Sequence, residues 1–367
     1  MKSNQDLVLN ELKTYYILSR NRSGSTLLVN LLNNHPSLLC ISELNVYWLL
    51  KSSYEKTILF DEQTITQLVD DLFFALEKKS HLYFEFMLPS KIDLIQSILR
   101  YQGDLDFSML CRIINLQIKS PYNKKQELVF DKKEGVEAII KKEINFNHLI
   151  DKIYLESPET KFILLVRNHR ANIYSSLKFG SARNNYIYEA KRWFLEMRPL
   201  LNPSIPDDRK LIIKYKDLIN NTENCIEKIE QFLEIEPIKK LTPVSIQIDK
   251  NLLHEQLKEY GLSEEQTNTF IKHHYGSFSR INQNKINEWE YKQAFDKKQL
   301  NKIDYLCKGV AIPLGFKCST KKVSFSIKDR FYILLAIIDY YVVTTYLTMP
   351  VKYKRVLAKL NYFKFFN

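Results

Sequence analysis

The sequence is poor in the residues that announce a metal or a cross-link. Its five cysteines, Cys40, Cys111, Cys225, Cys307 and Cys318, are scattered through 367 residues with no CxxC pair. Such spacing supports neither a zinc ribbon nor a disulfide framework, and it suits a reducing compartment. The seven histidines come without HExxH or a comparable ligand run, so no metal is expected. Glycine is scarce at eight residues, and no GxxxxGKS/T loop is present, which leaves a phosphate-loop kinase without its lysine. The opening stretch MKSNQDLVLNELK is polar, so no cleavable export signal is expected. Acidic residues fall short of basic ones, 42 against 54, a formal +12. That surplus favours anionic partners. No aromatic-interleaved basic stretch accompanies it, so a nucleic-acid partner is not expected.

What is present reads as a full-sized folded domain. Apolar residues make up 45% and charged residues 26%, enough for a core and unlike a disordered chain. Five short apolar runs predict strands at Thr14–Leu18, Leu38–Ile41, Val136–Ile140, Lys161–Val166 and Leu211–Tyr215. Continuous apolar runs of this length suit strands covered on both faces. Helical periodicity lies between them, as in Asn221–Leu233, and the alternation predicts an α/β fold with an open, mostly parallel sheet flanked by helices. The division expected is one domain over 1–320, with a helical insertion at about 50–130, and a basic, apolar helical extension over 321–367. Within that extension Phe331–Met349 is largely apolar and aromatic, long enough to just cross a bilayer core. Asp339 near its middle and the equal basic flanks leave three readings open: a packed helix, an interfacial helix, or a span. The expected location is cytoplasmic, with membrane contact through 331–367 as the open question.

The strongest local signal is Arg20-Asn21-Arg22-Ser23-Gly24-Ser25-Thr26-Leu27-Leu28, directly after the first strand. A strand, a short polar loop and a helix start make a ready anion site, because the first helical N–H groups point outward. Gly24, the sole glycine before Gly103, lets the backbone approach an anion. Ser25 and Thr26 add hydroxyls, and Arg22 adds a fixed cation. A second element, KFILLVRNHR, is a buried strand that ends in Arg167, with Ser175 eight residues on and Ser176 as its alternative.

These two elements, in this order, resemble those of the sulfotransferases that use 3′-phosphoadenosine 5′-phosphosulfate (PAPS). Arg22 through Leu27 match the family's 5′-phosphosulfate loop: a basic residue, Ser-Gly, two hydroxyl residues and an apolar one. Arg167 and Ser175 match its 3′-phosphate element, although the family's proline two residues after the arginine is His169 here. The Tyr215–Leu218 stretch and the helix ending Phe232-Leu233 resemble further family features, and Arg280 and Lys285 lie where its terminal basic loop contacts phosphate. The resemblance implies a P-loop-like sulfotransferase fold, PAPS as co-substrate without a metal, and a hydroxyl-bearing acceptor. It also implies cofactor contacts from Arg22, Ser23, Gly24, Ser25, Thr26, Leu27, Arg167, Ser175 and Arg280.

Sulfuryl transfer needs a base for the acceptor hydroxyl and cations for the leaving oxygen. Glu43 follows the second strand and should emerge beside the loop. The spacing from Arg22 through His35-Pro36 to Glu43 is similar to the branch that includes tyrosylprotein sulfotransferases, whose base is a glutamate. Lys142, at the end of VEAIIKKEI, resembles the family's strand-end lysine and joins Arg22 at the leaving oxygen. Lys141 is the alternative, since a one-residue slip exchanges faces. A nucleotide kinase and a non-catalytic nucleotide-binding protein are the competing readings.

Overall fold

The five apolar runs form five strands: β1 Lys13–Ser19, β2 Leu38–Ser42, β3 Ala138–Glu143, β4 Phe162–Val166 and β5 Lys210–Lys214. They make one parallel sheet in the order β2-β3-β1-β4-β5, the α/β class anticipated. The computed structural model describes residues 12–33, 35–77, 88–118, 136–144, 146–179, 183–238, 250–259, 263–265, 267–268, 271 and 283–359.

Period-two alternation divides the core between the two faces. Tyr15 and Ile17 of β1, Ala138 and Ile140 of β3, and Ile163 and Leu165 of β4 join one apolar cluster. Helices α1 (Ser25–Leu32), α9 (Tyr215–Asn220) and α10 (Thr222–Leu233) cover that face. Tyr16, Leu18, Ile139, Phe162, Leu164 and Val166 face the other cluster. That side is covered between β2 and β3 by α2 (Val46–Tyr54), α3 (Glu62–Glu77), α4 (Lys91–Leu99) and α5 (Phe107–Gln117). After β3 come α6 (Ile150–Glu156), then α7 (His169–Lys178) and α8 (Tyr186–Met197) beyond β4. Helices α11 (Lys250–Glu259), α12 (Glu288–Tyr291), α13 (Lys297–Ala311), α14 (Ile327–Thr348) and α15 (Val351–Lys359) follow β5 and its helices. Ile17 and Leu18 are fully buried on opposite faces of one strand. Burying each contributes about 1.5–3 kcal/mol, so a polar substitution at either would strike a different cluster.

Four strands shift by a single residue at one or both ends, and β3 departs further from expectation. β3 begins at Ala138 and runs through Lys141, Lys142 and Glu143, all six residues buried. Glu137 N and Ala138 N both donate to Ser37 O ahead of the ladder, and the ladder then carries Lys142 opposite Ile17. Three charged residues inside a buried strand hide its end from hydrophobicity.

The order of strands also fixes where a ligand can sit. β1 leads to β2 on one side, and β4 leads to β5 on the other. Their exits diverge, so a crevice opens between their carboxyl ends, the usual ligand position in such sheets.

The C-terminal extension packs on this body. Ser326 and Asp329 cap α14 reciprocally: Asp329 N donates to Ser326 Oγ and Ser326 N to Asp329 Oδ2. Asp339, the charge inside the apolar stretch, is buried and accepts from Tyr188 Oη of α8 at 2.9 Å. α15 is held on α2 by Val351 N donating to Ser53 Oγ, and on α3 by Arg355 pairing with Asp71 at 2.7 Å.

Candidate active site

Two backbone distortions mark the crevice. Arg22 (φ 66°) and Glu43 (φ 60°) are both left-handed without being glycine. Such residues cost about 1–3 kcal/mol and persist where the surroundings fix them. Gly24 (φ 93°) is the N-cap of α1, and no side chain caps it. A Cβ there would lie 2.5 Å from ring carbons of Tyr215, so only glycine fits. Leu28 N donates to Gly24 O, closing the first turn. The N–H groups of Ser25, Thr26 and Leu27 precede that bond, have no partner within the helix, and offer an anion three aligned donors.

The loop is braced from beneath. Arg20, just before the loop, is buried and paired with carboxylates of α8. Its guanidinium pairs with Glu189 and with Glu196 (2.7 Å) on α8, and donates to Asn172 Oδ1 of α7. Asn172 Nδ2 in turn donates to Asn21 O at 2.9 Å and Ser23 Oγ at 3.2 Å. The buried Ser23 hydroxyl therefore belongs to the loop's scaffold. Ser176 Oγ accepts from Arg20 at 3.4 Å, which sets it on that scaffold too and leaves Ser175 on the crevice side.

The loops after β1 and β4 meet directly. Arg167 donates through Nη1 to Arg22 O at 2.8 Å and through Nη2 to Lys285 O at 2.7 Å. Its guanidinium stacks 4.6 Å from the centre of the Tyr215 ring, and its buried Nε has no hydrogen-bond partner. Arg22 Nε donates to Ser175 Oγ at 3.5 Å, and its guanidinium lies 3.8 Å over the Phe179 ring. Lys285 completes the group. Among the described residues no carboxylate forms an ion pair with Arg22, Arg167 or Lys285. Desolvation lowers the pKa of all three. Arg167 then lowers that of Arg22, and both arginines lower that of Lys285. Three desolvated cations, of which Arg22 and Lys285 are depressed further by neighbouring guanidiniums, form a site for a multiply charged anion.

A second constellation stands at the β2–β3 end of the same edge. Glu43 N donates to Lys142 O at 2.8 Å, extending the ladder one residue past β2. The Glu43 carboxylate accepts from Lys142 Nζ, which also donates to Thr26 Oγ1 at 3.3 Å. Lys141 points to the opposite face, buried 5.9 Å from the Tyr16 ring centre. Geometry thus separates the two lysines: Lys142 joins Glu43 and the start of α1, and Lys141 does not.

Among the expected residues, Arg22, Gly24, Arg167, Ser175 and Lys285 gather at one end. Thr26, Glu43 and Lys142 gather at the other, and Ser25 and Leu27 flank Thr26 in the first turn of α1. Arg22 donates to Ser175 through Nε, and its carbonyl oxygen accepts from Arg167. Arg280 lies outside the described residues. Phe179, Arg20 and Asn172 carry parts of the site that motif reading missed. Tyr215, in the stretch that resembles a family feature, lies one residue beyond β5 and packs against Gly24 and Arg167. His169, standing where the family has proline, is the first residue of α7. Proline suits that position because its missing N–H is not needed. The histidine instead bonds Asp304 Oδ1 at 2.9 Å and ties α7 to α13. Asp304 also binds Arg170 (2.8 and 2.5 Å) and Ser319 N (2.6 Å). With Cys318, these atoms lie close enough to hold a metal ion, but the carboxylate is already saturated by donors.

The sulfotransferase family model matches residues 16–239, a span from β1 past α10 that holds both constellations apart from Lys285. No curated protein matches the chain. Among solved structures it is similar to the sulfotransferase domain of the Synechococcus PCC 7002 olefin synthase, with 17% identity and a TM-score of 0.45 over 82% of this chain and 94% of that one. It is also similar to the sulfotransferase domain of the curacin biosynthetic pathway, with 16% identity and a TM-score of 0.49 over 84% and 99%. A sulfotransferase of Mycobacterium avium shares 12% identity, with a TM-score of 0.35 over 79% of each chain. With more than half of its length matched by the family model, the chain belongs to the sulfotransferase family and is a transferase.

Proposed function

We propose that this enzyme moves the sulfuryl group of PAPS onto an acceptor hydroxyl. The observation that carries the reading is the convergence of Arg22, Arg167 and Lys285, without a paired carboxylate among the described residues, beside the uncapped start of α1. A donor with phosphate at both ends of its ribose needs two anion sites at the edge of one sheet. Arg167, Ser175, Lys285 and Arg22 would hold the 3′-phosphate. The N–H groups of Ser25, Thr26 and Leu27, with the Thr26 hydroxyl, would hold the 5′-phosphosulfate.

The chemistry then falls to Glu43 and Lys142. The acceptor oxygen attacks sulfur, and the bond from sulfur to the bridging phosphate oxygen breaks. The acceptor proton passes to the Glu43 carboxylate. 3′-Phosphoadenosine 5′-phosphate leaves with the electron pair, and Lys142 would donate to the oxygen that gains charge. No step calls for a metal, since fixed cations supply the neutralisation that magnesium gives in phosphoryl transfer.

The test compares thermal unfolding with 3′-phosphoadenosine 5′-phosphate against ATP and Mg²⁺, followed by transfer of radioactive sulfur from PAPS into an extract of the native host. Stabilisation by the first ligand, independent of magnesium, and a labelled hydroxyl product are expected. Stabilisation by ATP and magnesium alone would overturn the donor assignment.

A further inference from the structure

The longest helix among the described residues, α14, buries one of its faces against the protein. Asp329, Ala336, Asp339 and Leu347 are buried toward the body. On the opposite side Ile327, Phe331, Leu334, Ile338 and Tyr341 are 47% to 88% exposed. Their spacing of four, three, four and three residues lines them along a single stripe. Tyr353 and Val356 of α15 are exposed as well. Only 17% of the most apolar window of α14 is buried, at a mean hydropathy of 1.5, whereas the core helix of a globular domain would be mostly buried. An apolar stripe of this length on a water-facing surface marks an interaction site.

Its surroundings say what covers it. Lys321, Lys322, Lys328 and Arg330 are exposed at the N-terminal end of α14, and Lys352 is exposed just beyond its C-terminal end. Basic residues at both ends of an apolar, tyrosine-bearing stripe match a surface whose interior is hydrocarbon and whose headgroups are anionic. A second copy of the chain matches less well, because a two-fold pairing of this stripe would set lysines against lysines. The buried face argues against a crossing of the bilayer. There Asp339 accepts from Tyr188 Oη and Asp329 pairs with Lys302 at 2.5 Å, so a span would carry two carboxylates away from their partners into lipid.

We propose that α14 docks this protein on an anionic membrane surface, lying in the plane of the interface with the Ile327–Tyr341 stripe among the acyl chains. The inference stands apart from the donor assignment, since it uses no residue of the crevice. It brings the enzyme to acceptors held at a membrane: α14 and α15 also pack on α2, the helix that follows Glu43.

Flotation of the full chain with vesicles tests it. The protein is expected to float with phosphatidylcholine vesicles containing phosphatidylglycerol and to stay behind with phosphatidylcholine alone. Alkaline carbonate should release it. The double variant Phe331→Glu, Ile338→Glu should lose flotation while keeping the wild-type unfolding temperature, because both side chains already face water. Lys328→Glu with Arg330→Glu should weaken binding by at least about fivefold per residue, and high salt should do the same. Equal flotation of wild type and both double variants would overturn the proposal, as would no flotation with anionic vesicles. A wild-type dimer in solution that Phe331→Glu, Ile338→Glu converts to monomer would also overturn it, assigning the stripe to a second copy. Resistance to carbonate would overturn it in favour of a span.

Discussion

Arg167 donates from Nη1 to the carbonyl oxygen of Arg22 at 2.8 Å, joining two loops 145 residues apart in the chain. The bond runs from the strand-end side chain of one motif to the backbone of the other. It sets the left-handed Arg22 in place and brings two like charges together, a cost that a bound anion would repay.

Arg167→Ala removes that brace and a cation at once. Charge-assisted hydrogen bonds contribute about 1.5–3 kcal/mol each, so affinity for 3′-phosphoadenosine 5′-phosphate should fall about 10- to 100-fold or more. Titration calorimetry would measure it. Arg167→Lys should recover little, since one ammonium cannot serve both Arg22 O and Lys285 O in the guanidinium's fixed geometry.

Glu43→Gln keeps the shape of the side chain and its place beside Lys142. Transfer should drop by about 10²- to 10⁴-fold, the range expected for a positioned base. Stabilisation by 3′-phosphoadenosine 5′-phosphate should persist. Normal turnover in this variant would remove Glu43 from the chemistry.

The adjacent lysines should part company. Lys142→Met should abolish transfer, because Nζ is what joins Glu43 to Thr26. Lys141 is buried on the other face with its pKa lowered by desolvation, and no ion pair forms with it among the described residues. Lys141→Met should keep activity and raise stability by about 1 kcal/mol or more, as replacing a poorly compensated buried charge does. Denaturant unfolding checks the second half.

Acid should act on the α7–α13 clamp in two separate windows. Burial lowers the His169 pKa below its ordinary 6.5, outweighing Asp304's opposite pull. The unfolded chain therefore takes up a proton that the folded one refuses. Stability is full above pH 6.5 and is lost as pH falls toward the folded value. Hydrogen bonds from His169, Arg170 and Ser319 hold the Asp304 carboxylate below 3.8 despite its burial, so its contribution goes only below that pH. Unfolding curves of wild type and His169→Gln should share one pH slope above 6.5 and diverge as pH falls below it.

Much of this was legible from residues alone. FILLV and YYIL are apolar without interruption, and strands buried on both faces need that pattern, so the sheet was readable. Glu43 was readable because a strand places its following residue at a known edge. Lys141 and Lys142 were not separable, since a sequence gives no register and their faces follow from pairing Lys142 with Ile17. The role of Arg20 was not legible, because composition cannot tell an arginine facing a ligand from one facing Glu189 and Glu196. Tyr215 touches Gly24 across nearly 200 residues of chain, and nothing local to either position announces the contact.

The paired carboxylates beneath Arg20 have one more consequence. A loop cross-braced from α7 and α8 holds its curvature in solvent as it would around a guest, so its disorder is surrendered once, during folding, and not again at each encounter. Selection acting on how tightly this enzyme grips its donor can therefore act at Glu189 and Glu196, two positions that no donor atom would touch.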